Sequence, residues 1–464
     1  MSIRKFCRWS RAILPAAVLF GCGGGGGISG AVPLPSSLPT GPGTSSGKIS
    51  HVILMVQENR SFNDLFATFP NVVGTTVGKM RVGGKTIPVD LTKENLYSNK
   101  TLNHIHAAYL TAYRNGHMDA FNQIRFETTG KQEGTQPYQY VDPKQIQPYW
   151  TLATEYALAD EMFQTQGSAS FVAHQDLIRG GTAIDSNDSL IDEPTAYGRW
   201  GCDSPPGTVT SLITTSLQYL QDKGPFPCTD KFPSSSSYET LQTLLDAKGV
   251  TWKYYTPGPI KGTVGALWNA FLVISSVYNN KNEWNAHIDT PATDVFNDIG
   301  NRKLPAMSWL IPDAQNSDHP GYSNQDTGPS WVASVVNAVG KSSYWNSTAI
   351  IVVWDDWGGF YDPVAPTKLD HQGGPGFRVP MLVISPYVPP NEISHTVYGF
   401  GSIIRFIEDT WSLGRLGTTD VTCTSIANMF NFSRPQRKFE AIPARYSRSY
   451  FLHQAPSGLP VDTE

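Results

Sequence analysis

The chain has 464 residues, with 42 Gly, 34 Pro, 16 % charged residues and a net charge of -4. That balance excludes a disordered chain, which carries fewer apolar residues and more net charge. It also gives no Lys/Arg run able to track a nucleic-acid backbone, so no nucleic-acid partner is expected. The length allows one large domain or two ordinary ones, and 12 Trp, 20 Tyr and 21 Phe can fill a core or line a cleft.

Arg4, Lys5, Arg8 and Arg11 precede a short apolar run at 12–20. The run is too short to span a bilayer and reads as the core of a signal peptide. Leu19-Phe20-Gly21-Cys22 resembles a bacterial lipoprotein cleavage site. Residues 1–21 are therefore expected to direct export, leaving Cys22 for a lipid anchor in the cell envelope. An ordinary signal peptide cut nearby, giving a secreted protein, is the alternative. Residues 22–48 are Gly-, Ser- and Pro-rich and read as a flexible tether.

The folded body begins at 51–56 with a continuous apolar run, and similar runs recur at 251–255, 306–311, 349–354 and 381–385. Strands buried on both faces look like this. Helical stretches are expected at 61–66, 104–121, 238–248, 331–339 and 401–411, with another starting near Ser170. Strand–helix alternation predicts an α/β fold with a mainly parallel central sheet, spanning 49–435. Residues 185–237, rich in Pro, Gly and Ser, read as a loop-rich insertion, and 436–464 as a C-terminal surface tail. Within the insertion Cys202 and Cys228 are expected to pair in an oxidising compartment, closing a loop worth about 3 kcal/mol. Cys423 is left over.

Ligands bind at the carboxyl ends of strands in open α/β sheets. After the first run comes Gln57-Glu58-Asn59-Arg60-Ser61-Phe62, and after 349–354 comes Asp355-Asp356-Trp357-Gly358-Gly359-Phe360-Tyr361-Asp362. Adjacent buried carboxylates repel unless a cation or protons lie between them. A hard divalent metal held by Glu58, Asn59, Asp355 and Asp356 would resolve that repulsion. Bare Asp-Asp pairs are more often solvated loop residues, and a second strand ending in Glu-Asn is what shifts the balance. Gly167-Ser168-Ala169-Ser170 leads into a helix start, where a hydroxyl lies in the positive field of free backbone N–H groups. Such a serine is either a helix cap or, beside a metal, a nucleophile. His104, His106, His117, His319 and His371 lie near loop or strand ends and are candidates for phosphoryl contacts or leaving-group protonation.

The segment around Glu58-Asn59-Arg60-Ser61-Phe62 resembles the opening signature of the bacterial phosphoesterase family. That family holds phospholipases C, plant non-specific phospholipases C and an acid phosphatase branch. Trp354-Asp355-Asp356-Trp357-Gly358-Gly359-Phe360-Tyr361-Asp362 is similar to its late signature. Asp318-His319-Pro320, Gly376-Phe377-Arg378-Val379-Pro380 and Ile384-Ser385-Pro386-Tyr387 are similar to other parts of it, in order from about 50 to about 415. The resemblance implies an alkaline-phosphatase-like three-layer α/β sandwich. It implies a divalent metal on Glu58, Asn59, Asp355 and Asp356, and Ser170 as nucleophile forming a phosphoseryl intermediate. His104 and His319 would hold the phosphoryl group or assist the leaving group. The chain departs from the pattern at Ala169, where many members have Pro, which keeps Ser168 open as the alternative nucleophile. It departs again at Pro363, where many have His, a place that His371 would take. The implied substrate is a phosphate ester, either a phospholipase C-type diester or a monoester. Sulfatases share the fold but resemble a Cys/Ser-x-Pro-x-Arg signature, which Ser170-Phe171-Val172-Ala173-His174 lacks. A non-catalytic lipoprotein that binds a surface component is the remaining alternative.

Overall fold

The computed structural model describes residues 47–459, apart from 98–100, 196–200, 226–227, 229–237, 261–262, 265, 323–325 and 368–371. The signal segment, Cys22, most of the tether and His371 lie outside the described residues.

One sheet of eight strands organises the body. In chain order they are β1 (His51–Gln57), β2 (Ala157–Ala159), β3 (Trp252–Tyr255), β4 (Ile288–Asp289), β5 (Met307–Leu310), β6 (Thr348–Trp354), β7 (Met381–Ile384) and β8 (Glu392–Ser394). The spatial order is β4-β3-β5-β1-β6-β7-β2-β8. Only β7 runs against its neighbours; every other adjacent pair is parallel. The five apolar runs supply β1, β3, β5, β6 and β7. The central β6 is buried along its whole length, which explains why its sequence is continuously apolar rather than alternating.

The helices used below are α1 (Phe62–Phe66), α2 (His106–Tyr113), α3 (Gln147–Glu155), α4 (Ser170–Arg179), α5 (Leu241–Ala247), α6 (Thr327–Gly340) and α7 (Phe400–Trp411). They cover the sheet as the α/β pattern predicts. Helices α3 and α6 pack together and against β7 and β6, while α4 packs with α5 and α7. The Trp309 indole of β5 donates to the Leu177 carbonyl at 3.1 Å, tying α4 to the sheet. The helix expected over 104–121 is shorter than its apolar pattern. It stops at Tyr113, because Arg114 (φ 40°) and Asn115 (φ 54°) turn left-handed.

Within 185–237, strands at Asp188–Ile191, Ser211–Thr214 and Tyr219–Leu220 form a small antiparallel sheet. Cys202 and Cys228 are disulfide-bonded, 26 residues apart. Near the C-terminus a short helix, Arg448–His453, sets the buried Phe451 ring 5.4 Å from that of Trp331 on α6.

Buried Arg378 braces the carboxyl end of the sheet. Arg378 donates to Asp362 through Nε (2.9 Å) and Nη2 (3.0 Å), and to the carbonyls of Asp160 (2.7 Å) and Val73 (2.9 Å). Its guanidinium also lies over the Phe62 ring at 4.7 Å. Removing one partner of a buried pair leaves an uncompensated charge. Arg378→Met is therefore expected to destabilise the protein by about 3–5 kcal/mol, read as a lowered urea midpoint. A loss within about 0.5 kcal/mol, usual for surface substitutions, would show that this pair does not brace the fold.

Candidate active site

Strand register explains why two distant acidic motifs meet. β1 and β6 are parallel neighbours with Gln57 opposite Trp354, so Glu58 and Asp355 emerge side by side. The ladder continues one step as the Asp355 N–H donates to the Gln57 carbonyl at 2.9 Å. The chain then turns at Asn59 (φ 51°), a residue type that tolerates the left-handed region. The Asn59 N–H donates to Asp355 Oδ1 (3.0 Å), and the Gly358 N–H to Asp356 Oδ1 (2.7 Å). Gly358 (φ 59°) cannot be replaced without strain: a Cβ there would stand 2.1 Å from the Asn59 carbonyl oxygen. The neighbouring aromatics anchor this loop. Trp357 and Tyr361 join Phe121, Tyr138 and Phe377 in a second, smaller core.

Helix α4 brings the third element. Ala169 is its extended N-cap and Ser170 its first residue, fully buried. Ser170 Oγ lies 3.0 Å from Asp356 Oδ2, 3.4 Å from Glu58 Oε2 and 3.4 Å from Asn59 Oδ1. Ser168 faces elsewhere: its hydroxyl accepts from the Asp192 N–H (2.7 Å) and lies 3.3 Å from Asp192 Oδ1. His174 follows Ser170 by one helical turn, hence on the same face. Its Nε2 is 2.9 Å from Glu58 Oε1 and 3.9 Å from Asp355 Oδ2. His104 enters just before α2, with Nδ1 2.8 Å from the Leu102 carbonyl. That contact fits a proton on Nδ1 and turns Nε2 toward the cluster, 3.0 Å from Asn59 Nδ2 and 3.4 Å from Asp356 Oδ2.

The other histidines are placed differently. His319 lies beyond β5, buried, with Nδ1 2.7 Å from the Pro320 carbonyl and its ring 6.0 Å from Trp268 and 4.7 Å from Tyr322. It thus stands at the next strand end, outside the set that contacts Ser170. His106 braces the serine loop through its Nδ1, 2.7 Å from the Gly167 carbonyl. His117 is exposed.

The donor set fits a divalent cation. Glu58, Asp355 and Asp356 are fully buried together, and Asp355 Oδ2 has no hydrogen-bond donor. One ligand atom each from Glu58, His174 and Asp355 lies within 4.8 Å of the others. Asn59 and Asp356 border this triad through Ser170.

A cavity of about 340 Å³ is lined by Ile105, Glu127, Asp192, Glu193, Tyr219 and Asp222 among others, and Asp192 and Glu193 tie its wall to the residues around the start of α4. Glu193 Oε1 accepts the Phe171 N–H at 3.0 Å, and Asp192 Oδ1 accepts the His106 N–H at 2.5 Å. Asp192 Oδ2 is buried without a hydrogen-bond donor. Burial raises the pKa of Asp192 and of Glu127, and the Asp192 charge raises Glu127 further.

The sequence pattern of the Phosphoesterase family matches residues 49–414. The chain belongs to this family. It is 24 % identical over 474 residues to the non-hemolytic phospholipase C of Burkholderia pseudomallei, covering 90 % of this chain and 63 % of that protein. It is 24 % identical to phospholipase C B of Mycobacterium tuberculosis, covering 83 % and 78 %. The non-hemolytic phospholipase C of Pseudomonas aeruginosa is 23 % identical, covering 85 % and 59 %. The chain thus spans less than two thirds of the length of two of these three. Among solved structures, the Listeria monocytogenes lipoteichoic acid synthase LtaP is 9 % identical, covers 86 % of this chain and 82 % of its own, and has a TM-score of 0.38. An alkaline phosphatase superfamily protein from Vibrio parahaemolyticus is 12 % identical, covers 75 % and 73 %, and has a TM-score of 0.32.

In this member of the family the Asp318-His319-Pro320 motif carries a pH signature. Asp318 accepts from the Tyr149 hydroxyl (2.6 Å) and Gln57 Nε2 (3.3 Å), while its Oδ1 is buried without a partner. Burial pushes its pKa up to about 6. The folded state therefore holds a proton that the unfolded state has released between about pH 4 and 6. This contribution is fully present below the unfolded pKa and is lost as pH rises through 6. Asp318→Asn should flatten the decline in urea midpoint between pH 4.5 and 7.5. An unchanged pH slope would mean that Asp318 does not titrate in that window.

Proposed function

We propose that this chain is an exported, metal-dependent phosphoesterase working through a phosphoserine intermediate, with phospholipase C-type diesters as its preferred substrates. The observation that carries this reading is Ser170 Oγ at the start of α4, within 3.4 Å of Glu58, Asn59 and Asp356. A bound divalent ion would lower the pKa of the Ser170 hydroxyl and neutralise charge on the phosphoryl oxygens. Glu58, Asp355 and His174 would hold it, with Asn59 at its border, which leaves Asp356 Oδ2 facing the Ser170 hydroxyl.

The steps assigned to the protein's own groups are these. Asp356 Oδ2 receives the Ser170 proton, and Oγ attacks phosphorus as the bond to the departing alcohol breaks. His104 orients Asn59 and Asp356 against the phosphoryl group. His319, at the adjacent strand end, protonates the leaving oxygen. Water then attacks the phosphoserine and gives a proton to His319, while the P–Oγ bond breaks and Asp356 returns its proton to Ser170 Oγ, which releases the phosphate product and restores both groups.

The neighbouring cavity favours a diester with a cationic group on phosphorus. Glu127, Asp192, Glu193 and Asp222 supply negative charge and Tyr219 an aromatic face. The same wall disfavours a dianionic monoester. The relatives, which are phospholipases C, agree with this choice. Export and a lipid at Cys22 complete the proposal; the Cys202–Cys228 disulfide suits an oxidising compartment. No helix among the described residues is long and apolar enough to cross a membrane.

The test is hydrolysis of a chromogenic phosphocholine diester beside the matching monoester, with and without chelator. Chelator-sensitive turnover with the diester preferred is expected. Glu127→Gln should cut the diester-to-monoester ratio of kcat/KM by about 2- to 5-fold, the size of one exposed ion pair. A ratio favouring the monoester would choose an acid phosphatase instead. No turnover of either ester at any pH or with any added divalent ion would favour a binding lipoprotein.

A further inference from the structure

We infer that His174 is a nitrogen ligand of the metal centre, and that the centre therefore selects a borderline transition ion such as Fe²⁺, Ni²⁺ or Zn²⁺ over Mg²⁺ or Ca²⁺. The inference rests on reading the carboxylate cluster as a metal site, and its test needs no substrate. The two strand-end motifs alone offer only oxygen: two atoms from Glu58 and Asn59, two from Asp355 and Asp356. An all-oxygen set suits hard ions, which Ca²⁺ and Mg²⁺ exemplify. An imidazole nitrogen shifts preference toward later first-row ions.

Three observations place that nitrogen in the shell. His174 Nε2 lies 2.9 Å from Glu58 Oε1 and 3.9 Å from Asp355 Oδ2. Ligand atoms about 2.0–2.2 Å from a common ion stand roughly 3–4 Å apart, so these separations suit a shared centre. Asp355 Oδ2, the atom facing His174, is buried with no hydrogen-bond donor, although a histidine is close enough to approach it. Finally, His174 is fixed one turn after Ser170 on a ten-residue helix whose residues are all buried. Nucleophile and nitrogen ligand therefore ride on one rigid face, and substitution of either leaves the other in position. The competing reading is a plain ion pair between a protonated His174 and Glu58.

The experiment loads metal-stripped protein with Zn²⁺, Ni²⁺, Mg²⁺ or Ca²⁺ and measures affinity by calorimetry. A Cu²⁺-loaded sample reports nitrogen ligation by pulsed electron paramagnetic resonance. Wild type should show imidazole nitrogen coupling and bind Zn²⁺ and Ni²⁺ tighter than Mg²⁺ and Ca²⁺. His174→Gln should lose the coupling and weaken Zn²⁺ and Ni²⁺ by more than the ~10–100-fold typical of outer-shell changes. Its Mg²⁺ and Ca²⁺ affinities should move far less. His104→Gln should keep the coupling, because that ring contacts Asn59 and Asp356 rather than the triad. Absence of nitrogen coupling in loaded wild type overturns the inference without any variant having to fold. Coupling that survives in His174→Gln and vanishes in His104→Gln assigns the ligand to the wrong histidine and overturns it too. Failure to bind any divalent ion overturns both this inference and the metal reading. Turnover that is metal-independent, with nitrogen coupling intact, would overturn only the catalytic role of the metal.

Discussion

Ser170→Ala is expected to lower kcat by roughly 10,000- to 1,000,000-fold, the range seen when a nucleophile is removed from a working catalytic unit. The protein should remain folded. Alanine suits the first turn of a helix, and the lost hydroxyl is one donor shared among three acceptors. Acid-quenched reactions analysed by mass should show a phosphorylated wild type and an unmodified variant. Ser168→Ala provides the contrast, since its hydroxyl secures the buried Asp192 N–H and not the carboxylate cluster. Losing that partner costs about 1–3 kcal/mol of stability and should leave phosphoserine formation in place. If Ser168→Ala abolishes the phosphorylated species while Ser170→Ala retains it, the roles are exchanged and the proposed mechanism fails.

The sheet was legible because its main strands are buried on both faces, so 51–56 and 349–354 read as unbroken apolar runs. β2, β4 and β8, with three, two and three residues, are too short to leave such a trace. The carboxylate motifs were legible as strand ends, but their meeting depends on the register of Gln57 against Trp354, a tertiary fact. The early stop of α2 had a local sign, the Asn115-Gly116 turn dipeptide, that the apolar spacing outweighed. His174 was missed although its signal was present. A helix starting at Ser170 puts the residue four positions later on the same face. Glu127, Asp192, Glu193 and Asp222 come from separate loops, and no spacing rule connects such residues before the chain folds.

Asp355→Asn is expected to abolish metal binding and reduce kcat/KM by about 1,000-fold or more, since a Lewis-acid contact supplies several kcal/mol to the transition state. Its effect on stability should change sign with metal. In chelator, wild type buries Glu58, Asp355 and Asp356 together, and like charges at such range disfavour the folded state. The amide removes one charge and keeps Oδ1 as acceptor for the Asn59 N–H, so the metal-free variant should melt above metal-free wild type. With ion at 100 times its Kd, wild type gains about 2.7 kcal/mol and the variant gains nothing, so the order reverses. Thermal melts of both proteins in chelator and in metal read the crossing directly. A variant that is less stable by the same amount in both conditions would make Asp355 a structural acceptor. Three buried carboxylates would then need protons rather than a cation to coexist, and turnover should survive the chelator.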